Sequence, residues 1–132
     1  MKLSFTIPGA PITKKNSQQI LINRATGRPF IMPSKQYKDY EKASLAKLHA
    51  VKAIQPEPIA EPVNVQCLYY MPTRRKIDLC NLIEATCDIL VSAKILEDDN
   101  ASIVVGHDGS RVLHDKDNPR VEVCITSVEE AK

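Results

Sequence analysis

Thr73-Arg74-Arg75-Lys76-Ile77-Asp78-Leu79-Cys80-Asn81-Leu82-Ile83-Glu84 runs three cations into an aspartate and then straight into an apolar-periodic segment. Leu79, Leu82, Ile83, Thr86, Ile89, Leu90 and Ala93 fall on one arc at helical spacing. The spacing predicts a helix over 79–93, with Cys80, Asn81, Glu84 and Asp88 on the opposite arc. Asp78 stands at its start, where a carboxylate can cap the backbone or hold a metal. Some twenty residues on comes a second acidic knot, Glu97-Asp98-Asp99-Asn100. Cations beside clustered carboxylates suit a site that grips phosphate and a divalent ion. The same residues also suit a solvated turn before a capped helix.

Outward from this stretch the chain alternates. Val63, Val65, Cys67 and Tyr69 share one face of a strand over 63–71, which delivers the chain to the cations. Three prolines between Gln55 and Pro62 make a stiff connector before it. Earlier, Ser34 is placed to cap a helix whose stripe is Tyr37, Tyr40, Ser44, Leu45, Leu48 and Val51. Gln18–Asn23 and Pro29–Met32 read as a hairpin, with Arg24 and Arg28 at its tip and Gly27 free to take a positive φ. Leu3, Phe5 and Ile7 mark a first strand, ended by Pro8-Gly9. The polar loop Thr13-Lys14-Lys15-Asn16-Ser17 follows. After the second helix, 101–106, 111–113 and 120–126 read as strands. The order of elements predicts one α+β domain over 1–132, a mixed sheet with two main helices.

The bulk numbers fit a globular domain of 132 residues, 43% hydrophobic and 26% charged. Nothing reaches the length of a membrane span or a signal peptide, so the expected place is the cytosol. Four cysteines without a CxxC pair predict free thiols rather than a disulfide framework or a zinc site. Residues 1–76 carry 13 Lys+Arg against 4 Asp+Glu, whereas 77–132 carry 5 against 12. A basic half points to a polyanionic partner, unless folding interleaves the two halves and cancels the field.

The run Met71-Pro72-Thr73-Arg74-Arg75-Lys76-Ile77-Asp78-Leu79-Cys80-Asn81-Leu82, with Asp88 to Leu90 and Leu96 to Asp99 in order behind it, resembles the RusA family of Holliday-junction resolvases. So do the opening Pro8, Pro11, Lys14, Lys15 and Asn16 and the closing Asn118-Pro119-Arg120-Val121-Glu122-Val123. These are small dimeric endonucleases of bacteria and their phages. The resemblance implies Mg2+-dependent cutting of four-way DNA junctions by a homodimer, since two symmetric cuts call for a two-fold protein. Carried over by position, it implies Asp78 and Asp99 as metal carboxylates, with Asp98 beside the latter. It implies Lys14, Lys15, Asn16, Arg74, Arg75, Lys76 and Asn81 near DNA, joined by Arg24 and Arg28 from the reading of the hairpin. Two positions depart: Cys80 stands where the family has an aspartate, and Glu84 where it has a lysine. A neutral thiol is a poor magnesium ligand. One expectation makes Glu84, a helical turn from Cys80, the replacement acid at a working site. The other leaves a catalytically impaired protein that only holds the junction.

Overall fold

The computed structural model describes residues 1–14 and 18–128. Strand β1 (Lys2–Pro8) leads to a separate hairpin, β2 (Gln18–Ile22) and β3 (Pro29–Pro33). Helix α1 (Lys35–Ile54), strand β4 (Val63–Met71) and helix α2 (Leu79–Ser92) follow, then β5 (Val104–Gly106), β6 (Arg111–His114) and β7 (Arg120–Ser127). The main sheet runs β1-β7-β4, both neighbour pairs antiparallel, and β5 and β6 share the far edge of β4, both parallel to it. This is the mixed sheet with two helices that the alternation of elements predicted.

Strict alternation makes β4 the spine. Val63, Val65, Cys67, Tyr69 and Met71 are buried, while Asn64, Gln66, Leu68 and Tyr70 are only half so. Leu48 of α1 and Leu82, Ile89 and Leu90 of α2 pack on that buried row, together with Val121, Val123 and Ile125 of β7. Apolar burial at about 25 cal/mol per Å2 supplies the main cohesion of such a two-layer core. One polar chain crosses it. The Tyr69 hydroxyl lies 2.7 Å from Thr86 Oγ1, and the threonine hydroxyl is 3.0 Å from the Leu82 carbonyl oxygen. The opposite face of the sheet, with Ser4 and Thr6 exposed and Gln66, Tyr70 and Glu122 half-buried, carries no helix among the described residues.

The helix boundaries follow from local chemistry. Ser34 Oγ accepts from the Tyr37 amide at 3.1 Å, the predicted cap. Helix α2 ends at Lys94 in the left-handed region, φ 60°. The Ile95 amide then bonds the Leu90 carbonyl and the Lys94 amide bonds that of Val91, the reciprocal pattern that usually selects glycine. Lys52 of α1 donates to the Lys94 carbonyl and ties the two helix ends together.

Two expectations change. The strand expected from Ala101 begins at Val104, because Asn100 folds the residues before it into a turn: its carbonyl accepts from Ile103 and Val104, its side chain from Ser102. Helix α2 also buries a wider arc than predicted, taking in Ala85 and Cys87. The two cysteines of α2 therefore differ: Cys80 is exposed and Cys87 buried.

Between β5 and β6 the ladder is completed by side-chain bonds between the connection and β4. Asn64 accepts from the Asp108 amide at 2.8 Å, and the Ser110 hydroxyl accepts from the Cys67 amide at 2.9 Å. Gly109 sits at φ 85°, where any other residue is strained, and a Cβ there would also push aside the end of the Gln66 side chain, 2.5 Å away. β5 and β6 run in the same direction along β4, and a turn closed by the Ser110 amide on the His107 carbonyl at 3.1 Å joins them. Arg120 closes the other end, bonding Asp115 at 2.9 Å and Glu122 at 2.7 Å and stacking 3.8 Å over Tyr70.

Replacing Thr86 with valine keeps the shape but orphans the Tyr69 hydroxyl, and we expect a loss of about 1–3 kcal/mol in denaturant unfolding. Burial pushes the Cys67 thiol to about 11 and the Cys87 thiol to about 12. In the native protein Cys80 should therefore label fast with a thiol reagent at pH 8, while Cys67 and Cys87 react only on unfolding.

Candidate metal and nucleic-acid site

Asp78 occupies the cap position of α2 with extended backbone, φ −82° and ψ 121°. Its carbonyl accepts from the Asn81 and Leu82 amides, which starts the helix. Its carboxylate makes no capping bond and, among the described residues, accepts from Asn81 Nδ2 at 3.3 Å. The side chain is exposed. Of the two jobs the sequence left open for Asp78, capping is thus not the one its carboxylate performs. Asn81, expected near DNA, orients that carboxylate.

Along α2 beyond Asp78 lie Cys80, Glu84 and Asp88, four residues from one to the next and so about a helical turn apart on one arc. Cys80 and Glu84 are exposed. Asp88 is paired with Lys14, Nζ to Oδ2 at 3.0 Å, and the ammonium also lies 5.7 Å from the centre of the Tyr37 ring. Burial, reinforced by Glu41 and Asp88, pushes the Tyr37 hydroxyl well above the usual phenol range. Sequence reasoning placed Lys14 at DNA and gave Asp88 no task. The ion pair between the N-terminal loop and α2 spans 74 residues of sequence, so no local spacing announces it. Lys15 and Asn16, the next expected contacts, lie outside the described residues.

The second acidic knot is built differently. The Asp98 carboxylate accepts from the Asp99 amide at 2.8 Å and from Asn100 Nδ2 at 2.9 Å. Those bonds, with Asn100 first, hold its pKa below the ordinary carboxylate value. Asp98 thus shapes the loop, and Asp99 stands exposed beside it. The Asp99 charge bears on Cys87, adding to the burial that raises that thiol.

These two acidic groups stand at opposite ends of α2. Asp78 follows the C-terminal end of β4, whereas Leu96 bridges Ile59 and the Ile103 carbonyl accepts from Val63 at its N-terminal end. The helix between them has 14 residues, about 21 Å of rise. Among the described residues no three of His, Cys, Asp and Glu come together closely enough to hold an ion. The donor chemistry nevertheless suits a hard cation: Asp78, Asp98 and Asp99 offer carboxylate oxygens, and magnesium is commonly held by one or two carboxylates plus water and phosphate oxygens.

The cations gather at the Asp78 end. Arg74, Arg75 and Lys76 are exposed on the loop between β4 and α2. Arg75 and Lys76 also wall a groove of about 280 Å3 between that loop and residues 10–13. Sequence reading did not find this groove, since its walls come from segments some sixty residues apart. Arg24 and Arg28 are exposed on the tip of the β2–β3 hairpin, whose turn is held by Asn23 Oδ1 accepting from Ala25 and Thr26. Among the described residues the two strands of the ribbon pair with each other alone, and Ile20 and Ile22 are exposed. Among the described residues no helix is long and apolar enough to cross a membrane.

None of the curated proteins matches the chain. The family model of endodeoxyribonuclease RusA matches it over residues 8–126, from the end of β1 into β7. With nine-tenths of its length under that match, and with cations leading to an open carboxylate at a helix start, the chain belongs to the RusA family of endodeoxyribonucleases, Holliday-junction resolvases that in general depend on a divalent metal.

Proposed function

We propose that this protein is a Mg2+-dependent endodeoxyribonuclease that cuts four-way junctions as a homodimer, its single domain acting in the cytosol of a bacterial or phage-infected cell. The observation that carries this reading is Asp78: an exposed carboxylate, not used in capping, directly behind Arg74, Arg75 and Lys76. Asp78 and Asp99 are the metal carboxylates, and Asp98 fixes the loop that presents Asp99. When bound, magnesium supplies a Lewis acid for the phosphoryl oxygen and an acidified water. The chain does the rest. Arg74, Arg75 and Lys76 draw the phosphate in, and Asn81 steadies Asp78. Arg24 and Arg28 reach along the backbone from the hairpin tip, and Lys14, Lys15 and Asn16 are the further DNA contacts that the family resemblance implies. Glu84, exposed two turns along α2, supplies the acid that Cys80 lacks.

The separation of Asp78 from Asp99 by the length of α2 supports a second element of the proposal. A small ion cannot span that distance, so one copy supplies Asp78 and the second copy supplies Asp99. Dimerisation then assembles two sites, one for each strand to be cut.

Asp78→Asn and Asp99→Asn should each lower cutting of a synthetic junction in magnesium on the order of 100-fold or more. Mixed dimers of the two variants decide how the site is composed. If copies share it, half of the sites regain both carboxylates and the mixture nicks one strand; if each copy holds its own, the mixture stays inactive. Cutting that is absent from the natural chain but present in Cys80→Asp would instead establish the impaired, junction-holding reading. In gel-shift titrations, Arg74→Gln and Arg75→Gln should each reduce the salt slope of junction binding by about one, and unchanged slopes would clear them of phosphate contact.

A further inference from the structure

The groove beside the loop of cations has a chemistry of its own. Ala10, Pro11 and Ile12 form one wall, and Met71, Pro72 and Ile77 the other. These apolar surfaces include two prolines and, among the described residues, no aromatic ring. Thr13, Thr73 and Gln36, the last reaching in from the start of α1, supply the polar groups. Arg75 and Lys76 complete the lining, which holds no carboxylate among the described residues. At about 280 Å3 the groove falls just under the range of small-molecule sites, which begins near roughly 300 Å3, so it suits one heterocycle and no larger ligand. Its last residue, Ile77, is bonded directly to Asp78. Anything seated in the groove therefore lies one nucleotide's reach from the candidate metal carboxylate.

From this juxtaposition we infer that the groove receives a single nucleobase drawn out of the junction, next to the phosphate that is cut. The inference rests on the proposed junction-cutting function and adds a base-reading subsite to it. The base edge meets Gln36, whose side-chain amide carries both a donor and an acceptor in one plane, the pair a nucleobase edge presents. Its face lies against Pro11 and Ile12, and its phosphate on Arg75 and Lys76. Bases at a strand exchange point have the weakest stacking in the substrate, so extrusion costs least there. The protein would thus choose among junctions by the base at the crossover, without an aromatic wedge.

The test uses four-way junctions carrying 2-aminopurine at the crossover, in buffer without divalent metal so that binding is read without cutting. Binding by the natural chain should raise the emission about fivefold, since aliphatic walls do not quench an extruded base. Ala10→Phe fills the groove. It should bind junctions within about threefold of the natural affinity yet lose most of the emission rise. Gln36→Ala, at an exposed position in a helix that favours alanine, should keep the rise but flatten the preference among the four crossover bases. Saturated binding with no rise, an undiminished rise in Ala10→Phe, or an unchanged base preference in Gln36→Ala overturns the inference while leaving the junction-binding function standing. A natural chain that binds no junction at all overturns that function, and the inference with it.

Discussion

Everything at the candidate site hangs on how α2 is held against β4. The polar link from Tyr69 through Thr86 to the Leu82 carbonyl is buried and pairs each hydroxyl it contains. Apolar packing alone would let a helix slide along a flat row of Val, Cys and Met side chains with modest penalty. A buried hydrogen bond admits one position, because any other leaves a polar group unpaired in the core. That single position fixes the start of α2, and with it where Asp78 and the loop of cations stand. The fold therefore achieves precision at an exposed site through a contact that lies wholly inside.

The fold was legible in the chain because its two periods are clean. Alternation along 63–71 and the helical spacing of 79–93 both reflect one-sided burial, and one-sided burial is what the core imposes. Boundaries were harder where side chains override the backbone pattern. Ala101 to Ile103 look like strand residues, but Asn100 gathers three amides and turns the chain first. The arc of α2 was drawn too narrow because Cys87 can serve as a small apolar residue or as a thiol, and only its surroundings decide.

The site was legible in parts. Asp78 and the cations behind it are contiguous, so their relation is carried by the sequence itself. The relation of Asp78 to Asp99 is not. Both flank one helix in sequence, which invites the idea of a shared centre, but a helix separates its own ends. Lys14 with Asp88, and the groove between residues 10–13 and 71–77, join segments far apart in the chain. No periodicity records such contacts, since they depend on how β1 and β4 lie in the sheet. The charge asymmetry between the halves is likewise only partly kept: Lys14 neutralises an acid of the second half, while Arg120 is satisfied by acids of its own.

The pairing of Lys14 with Asp88 changes what that lysine can offer a nucleic acid. An exposed ammonium meeting a phosphate displaces a mobile ion from the DNA atmosphere, and the freed ion drives the association. Lys14 already has a fixed anion beside it. To meet a phosphate it must trade one carboxylate for one phosphate, leaving Asp88 bare on α2 and facing the same strand. On the proposed function, Lys14 therefore serves as a shield as well as a contact, covering a negative charge that would otherwise repel the backbone along the middle of the helix.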